Sequence, residues 1–322
     1  PAMNFRLFLV GLLALCAQLA PAQTVIDLSR GKVQSAAAQP DFNPDPFSKS
    51  RMQARDRAEE RRDSAAYNDC LTQAFNLLAV DSLSQAQVYL ERALQLRPRA
   101  QSTPVVRYNL GLIFQARQQY ADAIRTFTQC LADRPDYAEA RFQRANSYFR
   151  AQQYSAAIAD AQQLTGANSP LDKAGQSALY SLLWMSHRNL KQDTQALAAA
   201  EQSLQLAPND SLAALRQSIS LRDLRRFDEA RLMLDRTVDR HPNFVSALVL
   251  RAELFSYLGL FDLAREDYDR AIALEPNDVP LRLARAEVLI ELRLPRAAKQ
   301  DLDAARQLGA PNSELKKLYD KL

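Results

Sequence analysis

The sequence predicts an all-α fold built as an array of stacked helix pairs, and three observations carry that prediction. First, its 322 residues include only 7 glycines, and 47% are hydrophobic. With Ala, Leu, Gln and Arg abundant, that mixture favours helix and argues against Gly-rich phosphate loops and turn-rich β architecture. Second, Pro98, Pro135, Pro208, Pro242 and Pro276 close phrases of one kind: "ALQLRP", "CLADRP", "SLQLAP", "TVDRHP" and "AIALEP". The last three prolines are spaced by 34 residues, and Ala86, Ala123, Ala196, Ala230 and Ala264 each stand twelve residues before one of the five. Third, each repeat carries two apolar stretches of helical period, the second ended by its proline. No single helix pair can bury its apolar face alone, so neighbours must stack.

The elements follow in chain order. Residues 1–22 read as a cleavable export signal, with Arg6 as positive flank, Leu7 to Leu19 as apolar core and Ala20-Pro21-Ala22 before a cut at Gln23. Cys16 in "LALC" offers a lipid-anchor alternative, although Leu15 stands where that signal wants a small residue. The apolar run is short for a membrane span, so no integral span is expected after processing. Residues 23–48 hold three prolines, one glycine and few large apolar groups, the composition of a flexible linker. Residues 49–66 form a polar helix that either stands alone or prolongs the first repeat helix. Its apolar face is too poor for a membrane-surface helix. Seven repeats occupy 67–312, starting near Tyr67, Pro104, Ala138, Ser177, Ser211, Val245 and Val279. Residues 313–322, "SELKKLYDKL", form a charged capping helix.

The stretch "YNLGLIFQARQQYADAIRTFTQCLADRP" (Tyr108 to Pro135) resembles the tetratricopeptide repeat family almost throughout. Leu110 and Gly111 supply its leucine and small residue, Phe114 and Tyr120 its aromatics, Ala123 its alanine, and Phe127 and Pro135 its close. The resemblance implies a right-handed superhelical solenoid. Repeat four departs from the pattern, with Trp184 at the small-residue position, His187 at an aromatic position and an insertion, "TGANSPLDKAGQ", ahead of it. A loosened or bent junction is expected there. Pro295 falls in the turn between the helices of repeat seven, and Cys70 and Cys130 lie in apolar helical patterns as buried thiols.

In repeat register, arginine and aspartate occur together three times and separately never: Arg144 with Asp160, Arg251 with Asp267, Arg285 with Asp301. Such matched occurrence predicts bidentate ion pairs bridging helices. Within "LAREDYDRA", Glu266 and Asp269 then read as surface charges, with Glu266 placed to pair with Arg270.

No nucleophile elbow, metal-protease helix, P-loop, dinucleotide fingerprint or paired-cysteine motif occurs, so no catalytic residue and no cofactor is expected. His187 and His241 are in no position to complete a metal site with the acidic residues, and none is expected. Opposite charges are interspersed, 41 basic against 37 acidic, which excludes the clustered cations of a nucleic-acid surface.

Function must therefore come from surface. The family resemblance implies that the first helices of successive repeats line a concave groove for a partner segment. In register that wall holds Phe75, Tyr108, Leu112, Phe142, Asn146, Phe149, Arg150, Met185, Arg188, Asn189 and Arg222, unless individual aromatics pack into the core instead. It turns acidic at Glu253, Glu287 and Glu291. Asn146 fits the asparagine of the family's carboxylate clamp, but Phe142 stands where that clamp needs lysine. The expectation is a non-enzymatic interaction scaffold of the bacterial envelope, periplasmic or extracellular, with protein partners among envelope or secretion components. A glycan- or peptidoglycan-associated binding module is the alternative.

Overall fold

The computed structural model describes residues 49–166 and 169–322, and the export signal, the linker and Cys16 lie outside them. Among the described residues all regular structure is helical, in fifteen helices. Fourteen form seven successive pairs: α1 (Lys49–Ala79) with α2 (Leu83–Leu96), α3 (Thr103–Ala116) with α4 (Tyr120–Asp133), α5 (Ala138–Arg150) with α6 (Tyr154–Gln162). Then follow α7 (Lys173–Asn189) with α8 (Asp193–Leu206), α9 (Ser211–Asp223) with α10 (Phe227–Arg240), α11 (Val245–Tyr257) with α12 (Phe261–Leu274), and α13 (Val279–Glu291) with α14 (Pro295–Gln307). The last helix is α15 (Asn312–Tyr319). The chain divides between Asp172 and Lys173 into two compact units, the first holding α1–α6 and the second α7–α15.

The polar segment does not stand alone, because α1 runs unbroken into the first repeat helix. From Arg57 to Ala66 it is exposed or half-buried, and burial begins at Tyr67, where apolar residues acquire helical spacing.

Two small-residue positions let the paired helices approach. In the second helices Ala86, Ala123, Ala157, Ala196, Ala230, Ala264 and Ala298 are all fully buried. In the first helices Gly111 sits against Phe127, and a Cβ there would lie 2.5 Å from the ring. The prolines fall one residue beyond the caps of α2, α4, α8, α10 and α12, where they cannot continue the helix. Pro295 is different from its expected place: it is the first residue of α14, where a missing N–H leaves no bond unmade.

Every turn inside a pair is built the same way. Asp81, Gln118, Gln152, Lys191, Arg225, Gly259 and Arg293 adopt left-handed backbone, φ between 56° and 76°. The next residue's N–H then reaches back to a carbonyl five residues earlier, as in Gln119 to Phe114 at 2.8 Å and Leu294 to Leu289 at 2.9 Å. This hydrogen-bonded cap usually recruits glycine, since other side chains strain there by about 1–2 kcal/mol. Here six of the seven are not glycine.

Candidate interaction surface

The three register-matched arginines each span helices. Arg144 donates from Nε and Nη2 to the two oxygens of Asp160 at 2.6 and 2.7 Å. Arg251 does so to Asp267 at 2.7 Å for both bonds, and Arg285 to Asp301 at 2.8 and 2.6 Å. The aspartates are buried, the arginines largely so. The remaining nitrogen, Nη1, reaches the second helix of the preceding pair: Thr128 for Arg144, Asp235 for Arg251 and Asp269 for Arg285. Each arginine thus ties three helices. The side-chain hydrogen bonds to the aspartates raise the arginine pKa values further above their ordinary range.

The geometry assigns the acidic residues of "LAREDYDRA" differently from the sequence reading. Asp269 is not a free surface charge, since it holds Arg285 of the next pair at 2.6 Å. Glu266 is exposed, and Arg270 turns instead toward the Pro242 carbonyl at 3.1 Å and Asp267 at 3.8 Å.

In the first unit, α3 touches α5, so first helices are neighbours. Two of the wall residues read from the sequence are core. Tyr108 and Leu112 are buried in a cluster with Phe127, Cys130, Leu131 and Tyr137, and the Tyr108 ring lies 5.1 Å from that of Tyr137. Their helical spacing cannot separate a wall from an inter-helix face, which is why the sequence placed them together with the others. Phe75 is half-buried against the first core cluster. Phe142, Asn146 and Phe149 are half-buried on α5, and Arg150 is exposed at its end. Phe149 stacks obliquely on Tyr154, centroids 5.6 Å apart. Cys70 and Cys130 are buried free thiols, and burial pushes Cys130 up to about 12.

In the second unit, α9 touches α11 and α13 touches α15. Arg188 and Arg222 are not presented freely. Arg188 donates to Asp223 at 2.9 Å, and Arg222 reaches Asp223 at 3.1 Å and Glu253 at 3.4 Å. Farther along, Lys321 pairs with Glu287 at 3.2 Å. Burial pushes the Glu253 carboxyl up to about 7 against the pull of Arg222. Met185 is half-buried, and Asn189 is exposed with its amide on the Met185 carbonyl. Glu291 is exposed as well.

Trp184 is buried in the same unit, and the register position that carries Phe127 in the α3/α4 pair carries Ala200, fully buried, in α7/α8. Its Nε1 donates to Ser220 Oγ on α9 at 2.8 Å. His187 is buried beside Gln192, Nδ1 to Oε1 2.7 Å, and His241 caps α10 half-buried. Among the described residues no group of three or more His, Cys, Asp or Glu is placed to hold a metal. Among them also, no helix is long and apolar enough to cross a membrane.

Residues 108–173 and 215–279 match the tetratricopeptide repeat family model. The chain is a tetratricopeptide repeat protein. Among solved structures it is similar to a tetratricopeptide repeat protein from Parabacteroides merdae, at 18% identity and a TM-score of 0.58, covering 80% of this chain and 98% of that one. It is also similar to pilF of Pseudomonas aeruginosa, at 20% identity and a TM-score of 0.53, covering 70% and 99% respectively. At such identities the likeness is one of fold. No curated protein matches the sequence. For this tetratricopeptide repeat protein, the residues missed in the sequence were Asp223, Ser220 and Tyr154.

Proposed function

We propose that this tetratricopeptide repeat protein is a non-enzymatic scaffold of the bacterial cell envelope that binds a partner polypeptide along its first helices. The observation that carries the reading is α5. Phe142, Asn146 and Phe149 are only half-buried there, and Asn146 makes no hydrogen bond and Arg150 no ion pair among the described residues. Aromatic groups flanked by uncommitted amide and guanidinium are the composition of binding hot spots. The export signal read in residues 1–22 supports a periplasmic or extracellular site of action.

The test replaces Phe142, Phe149 and Arg150 together with alanine. Capture of specific envelope proteins by the purified mature chain should be lost while the helical circular-dichroism spectrum is kept. Equal capture by the triple variant would remove α5 from the binding surface. Binding to isolated cell-wall glycan with no protein captured would replace the scaffold reading by a glycan-binding one.

A further inference from the structure

The second unit holds a cation that its own carboxylates leave uncompensated. Arg216, in the second turn of α9, is 8% exposed, and among the described residues it makes no hydrogen bond or ion pair. Its neighbours differ: Arg188 is neutralised by Asp223, and Arg222 by Asp223 and Glu253. The attraction Arg216 does feel comes from Asp210, whose carboxylate caps α9 by accepting the Leu212 N–H at 2.9 Å. Burial lowers the Arg216 pKa from its ordinary value, yet a guanidinium remains protonated at neutral pH. A mostly buried guanidinium without a bonded counter-charge carries a desolvation cost, and because none of its nitrogens is both sealed and unsatisfied it still opens to solvent, where a bound anion would relieve that cost.

The surroundings of Arg216 are ordered by hydrogen bonds. Trp184 Nε1 donates to Ser220 Oγ at 2.8 Å, and Ser220 Oγ donates to the Arg216 carbonyl at 3.1 Å. The indole of α7 is thereby fastened to the turn of α9 that carries Arg216. Guanidinium carbons lie within cation–π range of that indole from two residues, Arg188 at 5.0 Å and Arg216 at 6.0 Å. Asp223 lies on the same stripe of α9 as Arg216, two turns on, and serves Arg188. Of Arg188, Arg216 and Arg222, Arg216 is the one with no carboxylate within ion-pair distance among the described residues.

We propose that Arg216 and Trp184 form a binding site for a single carboxylate, the aspartate or glutamate side chain of an acidic polypeptide. The inference rests on the reading of the first helices as a polypeptide-binding wall and names one chemical feature of what binds there. A planar guanidinium can hold both oxygens of a carboxylate. Half-buried Leu212 stands one helical turn before Arg216 on α9, an apolar neighbour for the methylenes of such a side chain. A phosphate dianion fits less well, because its second charge would meet Asp210 at the cap and Asp223 on the same stripe of α9.

Trp184 is the single tryptophan of the chain, so its emission reads this site directly. The full chain is titrated with a hexaglutamate peptide at constant, near-physiological ionic strength. A saturable change in emission is expected, weakened at least tenfold in Arg216→Gln and retained in part in Arg216→Lys. The thermal midpoint of Arg216→Gln should equal or exceed that of the parent, since the substitution removes an uncompensated buried charge. The proposal is overturned by the lack of a saturable change in the parent, by unchanged affinity in Arg216→Gln, or by a midpoint several degrees lower in that variant. Inorganic phosphate saturating the same signal as tightly as hexaglutamate would overturn the assignment to a carboxylate. The titration reads one indole and the α5 capture assay reads bound protein, so either can fail while the other stands.

Discussion

The pairs α3/α4 and α13/α14 share a backbone plan and are held together by different chemistry. In α3/α4 the lock at the centre is shape: Gly111 admits the Phe127 ring, and Tyr108 packs between Phe127 and Tyr137, with a single ion pair, Arg107 to Asp133, beside them. In α13/α14 the equivalent positions are Ala286 and Leu302, both fully buried, and the added lock is electrostatic, through Arg285 with Asp301 and Asp269. The common features are the small-residue positions, the left-handed turn residue and the cap after it. The repeat therefore needs only a few positions to define its geometry, and the others are open to either apolar or ionic cohesion.

That contrast can be broken at the ionic end first. Arg285→Ala leaves buried Asp301 with only the Arg282 guanidinium, 3.5 Å away, and stability should fall by about 3 kcal/mol, read as a lower urea midpoint. Replacing Arg285 and Asp301 together should cost clearly less than the sum of the two single changes. If the costs simply add, the pair is not the lock described here.

At the apolar end, Gly111→Ala places a methyl group where the Phe127 ring now lies. The ring or the helix must shift, and a loss of about 1–3 kcal/mol is expected by thermal or urea denaturation. High salt should leave this loss unchanged. A salt-sensitive loss would blur the distinction between the two pairs.

The smallest effect sharpens the comparison through pH. Glu253 titrates near 7 in the folded chain against an ordinary 4.5, because burial disfavours its charge. A carboxyl raised in this way contributes stability that is fully present below about pH 4.5 and is lost as pH rises through about 7. Glu253→Gln should flatten the stability profile across that window, as followed by thermal midpoints at successive pH values. An unchanged profile would show that Arg222 compensates the buried charge in full.

Much of this was legible in the sequence because register is a geometric statement. Alanines twelve residues before prolines, and an arginine that never occurs without its aspartate, report contacts made again and again in one frame. The contacts made to the next repeat were not legible. Nothing in one repeat says that Asp269 will meet Arg285 rather than solvent, or that Arg188 and Arg222 will share Asp223. Tyr108 and Leu112 were misplaced for a related reason: the two faces of a first helix differ by a fraction of a turn, and both carry aromatics. The seven left-handed turn residues were invisible because glycine, the usual sign, stands at only one of them.

The arginine clamps have a mechanical consequence. Arg251 joins Asp235 on α10 to Asp267 on α12, and Arg285 joins Asp269 on α12 to Asp301 on α14. Three successive second helices are thus riveted in series, through side chains that leave from the first helices. Tension applied at the C-terminus would be shared along that row instead of peeling off one helix at a time. Under stretching in an optical trap, the segment from α10 to α14 should give way as a single block, with one large extension step in place of several small ones.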